Sequence, residues 1–130
     1  MSFSADLTAY INRTNRRASE VQRAVALQLT SSVITRTPVD TGRARGNWNA
    51  EINRADNSTS DTRTASDAER QARQASDDFA PGTVLFLTNA LPYIRALEYG
   101  NHSRQAPRGM VRITAEEFAQ AVRRAARNVR

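Results

Sequence analysis

Few residues in this sequence have side chains that carry reaction chemistry. The one His, His102, sits in Asn101-His102-Ser103-Arg104. A nucleophilic triad built on it needs a positioned Ser and an acid such as Glu98, and no G-x-S-x-G elbow is present to present the Ser. A loop His of this kind is read as a surface residue. Two adjacent acid pairs, Asp77-Asp78 and Glu116-Glu117, have the residue types for hydrolysis or for holding magnesium. Glu116-Glu117 is also placed to cap a helix, and Asp77-Asp78 lies in a polar segment, so neither pair is assigned a catalytic or metal role.

The residues that are missing narrow the chemistry further. Cys is absent, which excludes a disulfide scaffold, a thiolate nucleophile and a Cys-ligated zinc site. All 19 basic residues are Arg. Without Lys there is no Schiff-base lysine and no P-loop lysine. A high-GC coding sequence accounts for an all-Arg set; the functional reading is fork-shaped contact with carboxylate or phosphate. Little is left for an enzyme except carboxylates, hydroxyls, Arg and one imidazole, and no catalytic, cofactor or metal site is expected.

The elements that hold these residues are legible in outline. With 130 residues the chain is read as a single domain, 1–130. Leu7, Ile11, Thr14, Ala18, Val21 and Val25 follow helical spacing, continued by Leu29 and Val33. Ser4 is the expected N-cap and Thr37-Pro38 the stop. About 30 helical residues span about 45 Å. Pro38-Val39-Asp40-Thr41-Gly42 has turn chemistry. Residues 47–52 alternate, with Trp48, Ala50 and Ile52 on one face of a strand.

Residues 55–80 differ in kind: Phe79 is their only large apolar side chain. They are read as a polar arm or loop inserted between strands, or as a polar helix with Ser66-Asp67-Ala68-Glu69 as its capping box. Residues 83–89 form the most apolar run and are read as a buried strand. A short helix is expected from Tyr93 to Tyr99, ended by Gly100, then a loop with Pro107 and Gly109, and a brief edge strand at residues 110–113. Thr114-Ala115-Glu116-Glu117 reads as the capping box of a last helix, with Phe118, Val122, Ala125 and Val129 as its stripe. The fold class is α+β: a long N-terminal helix, a small, mostly antiparallel sheet, and a short helix and a C-terminal helix packed on it. Such a sheet is marginal alone and the core is thin, which favours oligomerisation.

Charge alternates along the chain. Residues 1–54 carry 8 Arg and 4 acids, residues 55–80 carry 3 Arg and 6 acids, and residues 81–130 carry 8 Arg and 3 acids. No segment has the roughly 20 apolar residues that span a bilayer, and Met1 to Tyr10 lacks the basic start and apolar stretch of a signal peptide, so a soluble protein made inside the cell is expected. The Arg-rich helices permit a second reading as a small DNA-binding protein, but the Arg residues are dispersed and no recognition motif accompanies them.

Three segments carry a family resemblance. Thr37-Pro38-Val39-Asp40-Thr41-Gly42-Arg43-Ala44-Arg45 resembles the "P-V-D-T-G-x-L-R" segment of a tail-component family of long-tailed double-stranded-DNA bacteriophages, variously called neck, head–tail joining or tail-completion proteins. Tyr93-Ile94-Arg95-Ala96-Leu97-Glu98-Tyr99-Gly100 is similar to the family's "Y-A-x-x-x-E-[YF]-G". Gln105-Ala106-Pro107-Arg108-Gly109-Met110-Val111-Arg112, followed by a helix, resembles its third segment. Ala44 departs from the pattern, standing where the family has a larger apolar residue, and residues 55–80 match no part of it.

The resemblance implies a structural virion protein of the neck or head-proximal tail end, working as a sixfold or twelvefold ring that joins head to tail or completes the tail. Its expected partners are further copies of itself and neighbouring connector, head-completion, tail-terminator or tail-tube proteins. Genomic DNA would pass through the lumen without specific binding, no membrane is involved, and the protein would be in the virion after assembly in the host cytoplasm. The interface candidates it implies are Pro38, Asp40, Thr41, Gly42, Arg43, Arg45, Tyr93, Glu98, Tyr99, Gly100, Pro107, Arg108 and Met110.

Overall fold

A computed structural model describes residues 3–39, 42–99 and 108–128. The chain is α+β, with a long helix α1 (Phe3–Arg36), a single turn α2 (Arg43–Gly46), strand β1 (Asn49–Ile52), helix α3 (Ala65–Asp78), strand β2 (Leu85–Thr88), and helices α4 (Ile94–Tyr99), α5 (Val111–Glu116) and α6 (Phe118–Asn128). β1 and β2 pair antiparallel, with Asn49 opposite Thr88 and Ile52 opposite Leu85. No helix of the described residues is long and apolar enough to cross a membrane.

The C-terminal half of α1 is the central post. Ala26, Thr30, Val33 and Ile34 are buried, between α3 on one side and α5 and α6 on the other. Thr37 ends the helix and is also buried; its hydroxyl donates to Val33 O at 2.7 Å and accepts the Trp48 indole N–H at 2.8 Å. The expected stripe is interrupted farther up. Val21 and Val25 are half-buried, whereas Ala18 is exposed.

Of the two readings of residues 55–80, the helix is found, as α3, and its Ala face is buried rather than polar all round. α3 closes the core with Ala68, Ala72 and Ala75, all buried against Val33, Ile34, Trp48 and Ala50. Small side chains at i, i+4 and i+7 let the helix approach α1 and β1 closely. The capping box exists, but two residues earlier than expected. Thr64 accepts from Asp67 N–H at 3.2 Å, and Asp67 accepts from Thr64 N–H at 2.9 Å. The Thr64 N–H and hydroxyl hold the Asp67 carboxyl below its usual range.

Other expectations are also corrected. Residues 83–89 do not form a buried strand: β2 is half-buried, with Phe86 exposed and Val84 just before it exposed. Residues 110–113 form the start of α5 rather than an edge strand. Thr114 lies inside α5, and its hydroxyl donates to Met110 O at 2.7 Å instead of capping α6. The apolar side of α6 is set by Ala121 and Ala125, with Phe118 exposed, and this helix packs on α1 rather than on the sheet. Val129, Gly100 and His102 lie outside the described residues.

Candidate interaction site

The resemblance residues fall into two structural nodes. The first joins α1 to β1. Arg45, on α2, donates from Nε to Thr37 O and from Nη2 to Thr35 O, each at 2.7 Å. These carbonyls end α1 and have no helical partner to take, so a guanidinium supplies the donors. Gly42 adopts φ 84°, the left-handed conformation that lets the chain turn into α2. Arg43 reaches Asp61 at 3.0 Å. Pro38 is half-buried beside this turn, and Ala44, the departure from the family pattern, is buried. Asp40 and Thr41 lie outside the described residues.

The second node centres on Glu98, buried at the end of α4. Its Oε2 accepts the N–H groups of Met110 and Val111 at 2.7 and 3.0 Å. Its Oε1 accepts the Arg112 N–H at 2.9 Å and the Arg112 Nε at 3.3 Å, and Arg112 Nη2 also donates to Glu98 O. These are the orphan N–H groups of α5, so one carboxylate from α4 caps a helix across the intervening loop. Burial pushes the Glu98 carboxyl up, but the N–H groups of Met110, Arg112 and Val111 and the Arg112 guanidinium outweigh it and hold the group below its usual range. Gly109 makes the approach feasible: its φ is 82°, and a Cβ there would stand 2.6 Å from Glu98 Oε1. Met110 is fully buried in the core.

Around this node the surface is aromatic and charged. Arg112 lies over the Tyr99 ring at 4.9 Å, and Tyr99 and Tyr93 are both exposed. Arg108 pairs with Glu116, and Arg36 pairs with Glu117 at 2.5 Å. Each acid of the Glu116-Glu117 pair therefore has an Arg partner. Asp78 accepts from Gln74, one turn earlier. Pro107 and Gly100 lie outside the described residues. Among the described residues, no group of three His, Asp or Glu could hold a metal ion.

Sequence reasoning missed a third polar cluster. Asn47, Asn49, Arg63 and Gln71 fasten the stretch between β1 and α3. Asn47 exchanges hydrogen bonds with Ser60, donating to its O at 2.9 Å and accepting its N–H at 2.8 Å. Asn49 donates to Asp56 O and Ser58 O. Arg63 donates to Asn49 Oδ1, to Trp48 O and to Gln71 Oε1. The available signal was the alternation itself, which placed Asn47 and Asn49 opposite Trp48 and Ala50 on a face that also had to be covered.

Comparison with known proteins finds no matching family model, no significantly similar curated protein and no significantly similar solved structure.

Proposed function

We propose that the chain is a non-enzymatic structural protein of a long-tailed bacteriophage virion. It acts at the neck or the head-proximal tail end, where copies form a ring that joins head to tail or completes the tail. The observation that carries this reading is the N-terminal half of α1. The helix is about 50 Å long at 1.5 Å per residue. Gln22 and Arg23 make contacts with the far end of α3, at Ala80 O and Phe79 O. Before them, Ala9, Asn12, Arg13 and residues 15–18 are exposed. Exposed helix is marginal in water by itself, and a neighbouring subunit would cover these exposed residues.

Two further features agree. Gly42, Arg45 and Glu98, among the resemblance residues, build turns and caps, as suits a scaffold subunit. Beside the α1–α5 contact, Val111 and Phe118 stay exposed on an apolar cleft of about 370 Å³ lined also by Leu29, Val33 and Ala115. In a ring of head-to-tail contacts, one face of each subunit meets a different face of the next. Arg13, Arg16 and Arg17 on the arm are suited to the exposed acids of α3, above all Asp77 and Asp78 at its C-terminal end, on a side that also carries Arg70 and Arg73. DNA passes through the lumen without specific contacts in this account.

Affinity capture tests the reading against DNA binding. The purified chain should retain connector or tail proteins from phage-infected cells and show no affinity for generic duplex DNA. Tight DNA binding with a steep salt dependence, and no retained virion protein, would overturn it.

A further inference from the structure

The β2 strand has an open edge, and hydrogen-bond parity tells which groups lie on it. Asn53 N–H donates to Val84 O at 2.7 Å, and Phe86 stands opposite Glu51. Bonded positions alternate along an antiparallel pair. Val84, Phe86 and Thr88 therefore turn their N–H and C=O groups toward β1, while Leu85 and Leu87 turn theirs away. The Ala50 N–H, opposite Leu87, obeys the same parity: it points away from β2 and donates to Gln71 Oε1 at 3.2 Å. That contact closes the far edge of β1. Among the described residues, nothing bonds the outward backbone groups of Leu85 and Leu87.

Exposed edges are normally blunted by charges, proline or bulges. This one has none of these within the strand. Residues 79–94 contain no charged side chain, and Val84 and Phe86 are 55% and 39% exposed.

We infer that in the free protein this edge is covered by β2 of a second copy, running antiparallel about a two-fold axis at Phe86. The strand is complementary to itself. Leu85-Phe86-Leu87 reads the same in both directions, so Leu85 of one copy bonds Leu87 of the other, and reciprocally, with every outward N–H and C=O paired. The two Phe86 rings then face each other at the closer, non-bonded position, where aromatic pairs add stability. Each chain carries a net +6 charge, and the uncharged 79–94 stretch is where two copies can meet without opposing like charges. A β2-on-β1 continuation is blocked by Gln71. Pairing also enlarges a two-stranded sheet that is marginal by itself. A two-fold contact joins copies in pairs and does not close a head-to-tail ring, so this inference stands apart from the neck reading.

The absence of Cys makes the test clean. Phe86→Cys should form a disulfide-linked pair under mild oxidation, because facing residues at a non-bonded position bring their Cβ atoms within about 4.5–5.5 Å. Val84→Cys, exposed but opposite Thr88 of the second copy in this register, should not. Leu87→Pro removes an outward N–H, together with a half-buried side chain packed against the core. It should shift the mass by light scattering from twice the 14.4 kDa chain mass to the chain mass, with an unchanged circular dichroism spectrum. Equal cross-linking of the two Cys variants, or a parent chain that stays at single-chain mass at its highest soluble concentration, would overturn the inference. The Cys comparison decides even where the Pro variant fails to fold.

Discussion

Glu98 Oε2 accepts the Met110 N–H at 2.7 Å, so the end of α4 determines where α5 begins. Replacing Glu98 with Ala would strand the buried Met110 N–H and remove the acceptor of the part-buried Val111 and Arg112 N–H groups. The expected loss is about 3 kcal/mol, at the upper end for a single polar deletion. Glu98→Gln keeps one acceptor oxygen but turns an NH2 donor toward the N–H groups on the other side, so it should cost less than Ala but still at least about 1 kcal/mol. Urea unfolding of the two variants against the parent chain measures both.

The same carboxylate gives a pH dependence with a definite sign. Its folded pKa lies below the ordinary glutamate value, so folding favours the ionised form. The stabilisation is complete above the unfolded pKa and fades as pH falls through the folded value. Unfolding free energy should therefore drop between about pH 5 and about pH 2 by more in the parent chain than in Glu98→Gln. Parallel pH profiles for the two would contradict the assignment.

Three glycines separate steric from conformational cost. A Cβ at Gly46 would stand 2.1 Å from Arg63 O, and at Gly109 2.6 Å from Glu98 Oε1, whereas at Gly82 it meets nothing within 4 Å. Gly82→Ala carries only the left-handed backbone penalty, about 1–2 kcal/mol. Gly46→Ala and Gly109→Ala should each cost more, since backbone or a buried carboxylate must move. Thermal unfolding of the three variants should rank Gly82→Ala as the mildest.

The placement of α3 is tested by charge. Ala72 is fully buried, and Ala72→Asp places an unpaired carboxylate in the core, at a cost of about 3 kcal/mol or more. Gln74→Ala, on the exposed side of the same helix, should stay within about 0.5 kcal/mol. Equal, small effects would contradict the packing of α3 into the core.

These cases show what the sequence makes legible. The long helix, its stop at Thr37-Pro38 and the Trp48 strand follow from regular apolar spacing and turn chemistry, and α1 and β1 occur there. α3 was legible as a helix, but not its burial, because its buried face is Ala68, Ala72 and Ala75, which carry no strong apolar signal. Residues 110–113 looked like a strand because Met, Val and Ile are strand-compatible; the carboxylate that makes them helical comes from Glu98, which local pattern does not reveal. The edge position of β2 was missed for a related reason. An apolar run signals burial, but whether the chain itself or another copy supplies that burial is decided by tertiary arrangement. Gly42 was legible as a turn former from its turn chemistry; that Arg45 and Glu98 supply the hydrogen bonds at helix ends was not, because their partners come from other elements.

Electron microscopy of phage particles assembled without this chain tests the proposed role most directly. The account predicts filled heads separate from tails, or tails of abnormal length or frayed at the head-proximal end, with joining restored when the chain is supplied. Normal numbers of joined, infectious particles in its complete absence would contradict it.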